Sequence, residues 1–284
     1  MTNNTSDTLD PLSTYANDLF KGQTALVTGG GRGIGKETAL AFARLGANVV
    51  IASRNIENLE KTKVEIEALG VKCLAIPMSI RKIEEVDAML AEVNEKFGAI
   101  DHLINNAGGQ FPSRPWDISD SGWRSVIDLN LNGTWTMCDR VGTQMMKRGK
   151  GSIVNIVHVY TFNRGASFFA HSGAARAGVV SMTKSLAYYY ARHGVNINAL
   201  APGTIETQGL QEEELAKAEV KDFEALQKRD IPAHRFGTPQ EVAAMNIFLC
   251  SPAAKYINGA SLIADGGQFL GPWSDMWNPD DAPQ

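Results

Sequence analysis

The chain predicts an α/β fold, a single doubly wound parallel sheet with helices on both faces. Three observations carry that expectation. Apolar runs of strand length (residues 25–27, 48–52, 151–157 and 195–200) alternate with longer runs of helical period, the pattern of successive strand–helix–strand units. A glycine-dense turn, Gly29-Gly30-Gly31-Arg32-Gly33-Ile34-Gly35, joins the first strand to the first helix. Two amphipathic runs stop at single glycines, Gly70 and Gly98, the residue type that closes a helix.

In order, residues 1–18 read as a polar, loosely ordered arm. Residues 23–53 form the first strand–helix–strand unit, its helix marked by Thr38, Ala39, Leu40, Ala41, Phe42, Ala43 and Leu45. A charged amphipathic helix is predicted over 56–69, a third strand over 72–77, a third helix over 83–97 and a fourth strand over 100–104. Residues 116–147 predict two helices, the second long, before the fifth strand. Another long helix over 169–193 leads to the sixth strand. The charge-rich stretch 212–229 predicts a mobile helical flap over a substrate, followed by a helix over 239–249 and a closing strand over 260–267. One domain, 19–267, therefore holds the core. Residues 268–284 read as a tail whose Trp273, Met276 and Trp277 predict packing on a neighbouring subunit.

A length of 284 residues suits one large domain. The net charge of −4, without a Lys/Arg cluster, argues against nucleic acid or an anionic membrane as partner, and no apolar run reaches the length of a membrane span. Cys73, Cys138 and Cys250 are scattered without metal-type spacing, so they read as buried thiols and no metal site is expected. The first 18 residues lack a basic-then-apolar leader, and Asp281-Ala282-Pro283-Gln284 carries no peroxisomal tripeptide. A soluble cytoplasmic protein is the expectation.

Strand, tight glycine turn and helix aim N–H groups and the positive end of the helix dipole at a pyrophosphate. Gly29 allows the turn, Gly33 admits the phosphates and Gly35 lets helix and strand pack closely, as in a Rossmann-type fold. The second strand ends in Ser53-Arg54, where an acid would select a free ribose 2′-hydroxyl. Ser53 and Arg54 can instead donate to a 2′-phosphate, with Arg32 as a second positive group, so NADP(H) is the predicted cofactor.

Thr28-Gly29-x-x-x-Gly33-x-Gly35, Asn105-Asn106-Ala107-Gly108 and Pro202-Gly203-Thr204-Ile205-x-Thr207 together resemble the short-chain dehydrogenase/reductase family, over about residues 19–267. The resemblance implies dinucleotide contacts from Gly29, Arg32, Gly33, Ile34, Gly35, Ser53, Arg54, Asn106, Ala107, Gly108, Pro202, Gly203 and Ile205. It adds Ser79, where the family usually has an Asp near the adenine, and it implies a homotetramer.

The active centre departs from that family. Ordinary members carry a Ser after the fifth strand and then Tyr-x-x-x-Lys at the start of the long helix, the Lys lowering the phenol's pKa. Arg176-Ala177-Gly178-Val179-Val180 fixes the register. Ser172 then stands at the Tyr position, Arg176 at the Lys and His158 at the Ser. Tyr188-x-x-x-Arg192 lies too far along the helix to substitute for the pair, and Lys184 cannot reach the same ribose. Tyr160-x-x-x-Arg164 lies in a loop, so its spacing alone means little.

His171-Ser172-Gly173-Ala174-Ala175-Arg176-Ala177-Gly178-Val179 resembles the corresponding helix of peroxisomal trans-2-enoyl-CoA reductases. Asn163-Arg164-Gly165 followed by His171, together with Asn105-Asn106-Ala107-Gly108-Gly109-Gln110-Phe111 and Ile51-Ala52-Ser53-Arg54, resembles peroxisomal 2,4-dienoyl-CoA reductases, of which this chain would be a bacterial-type relative. That subgroup implies NADPH reduction of the C=C bond of an α,β-unsaturated acyl-CoA thioester. Hydride then goes to Cβ and leaves an enolate that needs hydrogen-bond donors. Tyr160 is the candidate acid or enolate donor, Ser172 a candidate for the thioester oxygen or a water, and His158 a candidate lining residue, with His171 read as structural. Arg176 is expected to hold the nicotinamide ribose as a fixed cation, and Asn130 matches the family's structural and proton-relay Asn. Two rivals stay open, an NADP-dependent alcohol or ketone dehydrogenase (terpenoid or 3-hydroxyacyl) and a non-catalytic NADP-binding protein.

Overall fold

The computed structural model describes residues 10–162, 165, 168–217 and 222–271. Seven strands form one parallel sheet: β1 (Thr24–Thr28), β2 (Asn48–Ser53), β3 (Cys73–Pro77), β4 (His102–Asn105), β5 (Gly151–Ile156), β6 (Val195–Pro202) and β7 (Ser261–Ala264). Their order is β3-β2-β1-β4-β5-β6-β7, with Leu26 in register with Val50 on one side and Leu103 on the other. The chain builds outward from β1 to β3, then returns to β1's other edge to lay down β4. That reversal opens a crevice above the carboxyl ends of β1 and β4.

Alternate residues of each strand face opposite layers. Ala25, Val27, Val49 and Ile51 pack with Phe42 of α1 (Gly33–Arg44) and Ile247 of α8 (Pro239–Cys250). Leu26 and Val50 pack with Val93 of α3 (Ile83–Phe97) and Met137 of α5 (Gly133–Arg148). α2 (Ile56–Glu67) stops before Gly70, whose φ of +84° turns the chain. Thr238 and Glu241 form a reciprocal cap on α8.

Most elements fall where the sequence put them, two helices over 116–147 with the second long among them. Residues 116–147 form α4 (Asp120–Ile127) and α5 joined without a break by one wide turn of π-helix, Asp128–Asn132. Among the described residues, the stretch expected as a flap holds the short helical turns Leu210–Glu214 and Leu215–Lys217, and α7 (Phe223–Asp230). The arm is docked from Asp10 onward, with Leu12 buried and the Tyr15 hydroxyl donating to the Ala244 carbonyl at 3.1 Å. Trp273, Met276 and Trp277 lie outside the described residues. All three cysteines are buried and unpaired, and burial pushes each thiol up to about 12. Among the described residues no cluster suits a metal ion, and no helix is long and apolar enough to cross a membrane.

At the opposite end of the sheet His102 is 5 % exposed. Gln23 Oε1 can only accept, so the His102 Nε2 bears the hydrogen (2.8 Å) and Nδ1 accepts from Ser152 Oγ at 2.6 Å. Burial drives its pKa down to about 4 from 6.5. The unfolded chain therefore takes up this proton before the folded one does. Stability is whole above about pH 6.5 and falls as pH drops towards 4, by about 3 kcal/mol for this residue. Denaturant unfolding at pH 7.5 and 4.5 is expected to show that loss, and a His102→Asn variant is expected to show a loss smaller by that amount.

Candidate active site

The crevice consists of two adjoining cavities. The first, about 680 Å³, is lined by Gly29, Arg32, Gly33, Ile34, Ser53, Arg54, Ser79, Asn106, Ala107 and Gly108. The second, about 300 Å³, is lined by His158, Tyr160, Arg176, Pro202, Gly203 and Ile205, and shares Ile34, Asn106 and Gly108 with the first. Every residue assigned from sequence to the dinucleotide thus lines the crevice except Gly35, which lies behind it. A Cβ at Gly35 would sit 2.2 Å from the Gly29 carbonyl oxygen, so only glycine lets α1 begin this close to the turn.

Thr28 fixes the rim. Its hydroxyl donates to the Ile104 carbonyl (3.2 Å) and accepts from the N–H groups of Asn106 and Ala107, both at 3.0 Å. Asn106 Nδ2 donates back to the Thr28 carbonyl at 3.0 Å. The ends of β1 and β4 are thereby clamped together under the glycine turn. At the far end of the first cavity Ser53 and Arg54 close β2, and Ser79 is held by a 2.7 Å bond from its N–H to Glu85.

Arg176 reaches the crevice from α6 (Ala170–Tyr190), and its guanidinium donates to the Ile156 carbonyl at the end of β5. Burial lowers its pKa to about 10, so it stays charged near neutrality. A Cβ at Gly108 would lie 2.0 Å from that guanidinium; the glycine is what lets the cation come up against the loop after β4.

Asn130 sits on the π-helical turn, fully buried. Its Oδ1 accepts from the Gly109 N–H (3.0 Å) and its Nδ2 donates to the Gly109 carbonyl (2.9 Å). The side chain braces the 106–110 loop through these two bonds. The extra residue per turn of the π-helix points it inward.

Ser172 stands on the first turn of α6. It is 1 % exposed and lines neither cavity, and its hydroxyl donates to Gln110 Oε1 at 2.8 Å. The hydroxyl at the family's Tyr position is spent on orienting Gln110, which does line the second cavity. His171 packs edge-on to Phe111 at 4.4 Å and its Nδ1 accepts from the Ser172 N–H, while its Nε2 is buried with no hydrogen-bond partner among the described residues. Tyr188 is exposed and bonded to Arg192 on the outside of α6, away from the crevice.

Tyr160 and His158 enter from a different element, the short turn of helix Val159–Thr161 after β5. Their rings stand 5.7 Å apart. Both ring nitrogens of His158 are buried with no hydrogen-bond partner among the described residues. Burial first, and then the Arg176 charge, lower its pKa to about 4, so it is neutral at pH 7 and offers one donor and one acceptor. None of the described residues lining this cavity is acidic.

Several lining residues were not singled out from sequence: Gln110, Thr204, Thr207 and Gln227, together with Gln268 behind the cavity wall. Thr204 and Thr207 were legible as part of the Pro202-Gly203 motif. Gln227, from α7, carries a buried carboxamide oxygen with no described partner, which no sequence pattern announces.

A dinucleotide fits these residues. The glycine cradle sits at the N-terminus of α1, and among the described residues the buried cation has no carboxylate beside it and the imidazole has no hydrogen-bond partner. The family model described as "Enoyl-(Acyl carrier protein) reductase" matches residues 29–268. A probable 2,4-dienoyl-CoA reductase [(2E)-enoyl-CoA-producing] of Bacillus subtilis is 37 % identical over 256 residues, covering 88 % of this chain and 98 % of that protein. A 3-oxoacyl-[acyl-carrier-protein] reductase FabG of Vibrio harveyi is 35 % identical over 253 residues, 88 % of this chain and 99 % of that one. The crystal structure of a short chain dehydrogenase from Bacillus anthracis superposes with a TM-score of 0.80 at 38 % identity, covering 91 % of this chain and all of that one.

Proposed function

This chain belongs to the short-chain dehydrogenase/reductase family, an oxidoreductase family whose members bind a nicotinamide dinucleotide, and on that premise we propose that it reduces the C=C bond of an α,β-unsaturated acyl-CoA thioester with NADPH. The observation that carries the reading is where the hydroxyl groups stand. The hydroxyl on α6 is buried and committed to Gln110, while a phenol and a neutral imidazole face the cavity from the turn after β5.

Carbonyl reduction places charge on the oxygen that must be protonated. Conjugate reduction separates the two ends: hydride arrives at Cβ, charge collects on the thioester oxygen, and the proton goes to Cα. A dinucleotide in the first cavity would supply the hydride. Arg176 would hold its ribose, and Ser53, Arg54 and Arg32 would meet a 2′-phosphate. Tyr160 and His158 can each direct a donor at the enolate oxygen, and oriented donors in a dry cavity are what such a charge needs. The 2,4-dienoyl-CoA reductase relative supports the same reaction class. The family resemblance further supports a homotetramer, which light scattering checks.

The FabG relative favours a second reading, in which Tyr160 protonates a carbonyl oxygen. NADPH oxidation followed with crotonyl- to decenoyl-CoA and a 2,4-dienoyl-CoA, beside 3-oxoacyl thioesters and ketones, separates the two. Turnover of the unsaturated thioesters alone is expected. Turnover of carbonyl substrates alone overturns the proposal, and NADPH binding without turnover of either would mark a non-catalytic binder. In the same assay Tyr160→Phe is expected to lower kcat at least about tenfold with NADPH affinity retained; unchanged turnover would remove Tyr160 from the chemistry.

A further inference from the structure

Gln268 lies just past β7, in the segment the sequence assigns to the tail, yet it is 5 % exposed and forms part of the wall behind Tyr160. Its carboxamide is fixed in orientation. Oε1 receives the Thr204 backbone N–H at 2.8 Å, and a backbone N–H can only donate, so the oxygen must face Thr204. The amide nitrogen is then turned towards the phenol, with Nε2 donating to Tyr160 Oη at 2.6 Å and to Thr204 Oγ1 at 3.0 Å.

Space for this side chain is made by Gly203, where a Cβ would lie 2.6 Å from Gln268 Oε1. The turn carrying Gln268 is locked by Asp265, whose carboxylate accepts from the N–H groups of Gly267 and Phe269. Phe269 in turn meets Phe162 edge-on, with ring centroids 6.3 Å apart. The Pro202-Gly203 loop, the end of β7 and the Tyr160 turn therefore converge on one carboxamide.

From this geometry we infer that Gln268 is the positioning residue of Tyr160: its N–H donates to the phenol oxygen and fixes where that oxygen stands at the wall of the inner cavity. When the Tyr160 O–H bond breaks and the proton passes to the substrate, the electron pair left on Oη is met by the Gln268 N–H. In ordinary members of the family a Lys beside the Tyr serves that need; here the fixed cation is Arg176 on α6 and a neutral dipole sits on the phenol. The inference rests on the reading of Tyr160 as the donor.

A double-mutant cycle tests it. Gln268→Met keeps the volume and removes the donor. It is expected to lower kcat about tenfold in the wild-type background, the worth of one hydrogen bond to a developing charge, with KM for NADPH and for enoyl-CoA within about twofold. In a Tyr160→Phe background the same change is expected to have no further effect on kcat, because the oxygen it acts on is gone. Equal losses in both backgrounds would make Gln268 a packing residue and overturn the inference while leaving the function standing. If Tyr160→Phe is itself silent, the reading of Tyr160 as the donor falls and this inference with it, while the substrate assay still decides the function.

Gln268→Glu is the second variant, to be used if Gln268→Met no longer binds NADPH. It keeps the acceptor for Thr204 but presents an oxygen, and no donor, to the phenol oxygen. A loss of kcat of at least about tenfold is expected there, and wild-type kcat would overturn the inference.

Discussion

Replacing Arg176 by Met is expected to lower kcat about 100-fold or more and to weaken NADPH binding. The guanidinium is the only cation among the described residues lining the inner cavity. Hydrogen bonds to or from charged groups contribute about 1.5–3 kcal/mol each, and two of them, to the cofactor ribose, correspond to roughly 100-fold or more at about 1.4 kcal/mol per tenfold. Stability pulls both ways in this variant. The Ile156 carbonyl loses its donor, but a buried charge without a carboxylate partner is also removed. The thermal midpoint is therefore expected to shift by no more than a few degrees, and a circular dichroism melt beside the kinetics separates lost chemistry from lost fold. Arg176→Lys keeps the charge on a shorter stem and is expected to recover part of the activity. Full activity in Arg176→Met would show that the cation has no part in the reaction.

The second large effect concerns the dinucleotide. Arg54 and Arg32 are exposed at the mouth of the outer cavity, with Ser53 half-buried beside them. A 2′-phosphate there gains about 3 kcal/mol from charge-assisted contacts, so the wild-type protein is expected to prefer NADPH over NADH by about 100-fold in kcat/KM. Ser53→Asp combined with Arg54→Ala places a carboxylate at the end of β2 and removes a cation. The preference is expected to reverse, since the phosphate now meets a like charge and a free ribose hydroxyl gains an acceptor. Initial rates with both cofactors decide it, and equal use of the two by the wild-type protein would end the argument for a 2′-phosphate site.

Both predictions draw on residues visible in the sequence, and that visibility has a physical basis. A glycine is conspicuous where a Cβ cannot fit, as at Gly35 against the Gly29 carbonyl and at Gly108 against Arg176. Strands buried on both faces must be continuously apolar, which is why β1 and β2 were legible within a residue or two of their bounds. The alternation of strands with helices then required a parallel sheet and placed its carboxyl ends, with the motifs on them, at one rim.

The sequence alone could align Ser172 with the family's Tyr and leave its hydroxyl a candidate; it could not show that hydroxyl buried against Gln110, sixty-two residues away. The spacing of Tyr160 carried no weight until the turn after β5 set its ring beside His158. Asn130 was legible as a residue of interest, but its task depended on a π-helical turn that adds one residue to the count. Gln268 carried no signal, since its partners Tyr160 and Thr204 lie 108 and 64 positions away. What the sequence determined was the backbone: strand, turn and helix are dictated by local sterics and periodicity, which neighbouring residues settle among themselves. Which polar groups meet, and so which are spent on the scaffold and which are left facing the substrate, was decided only when the folded chain brought distant residues within about 3 Å, the range over which a hydrogen bond acts.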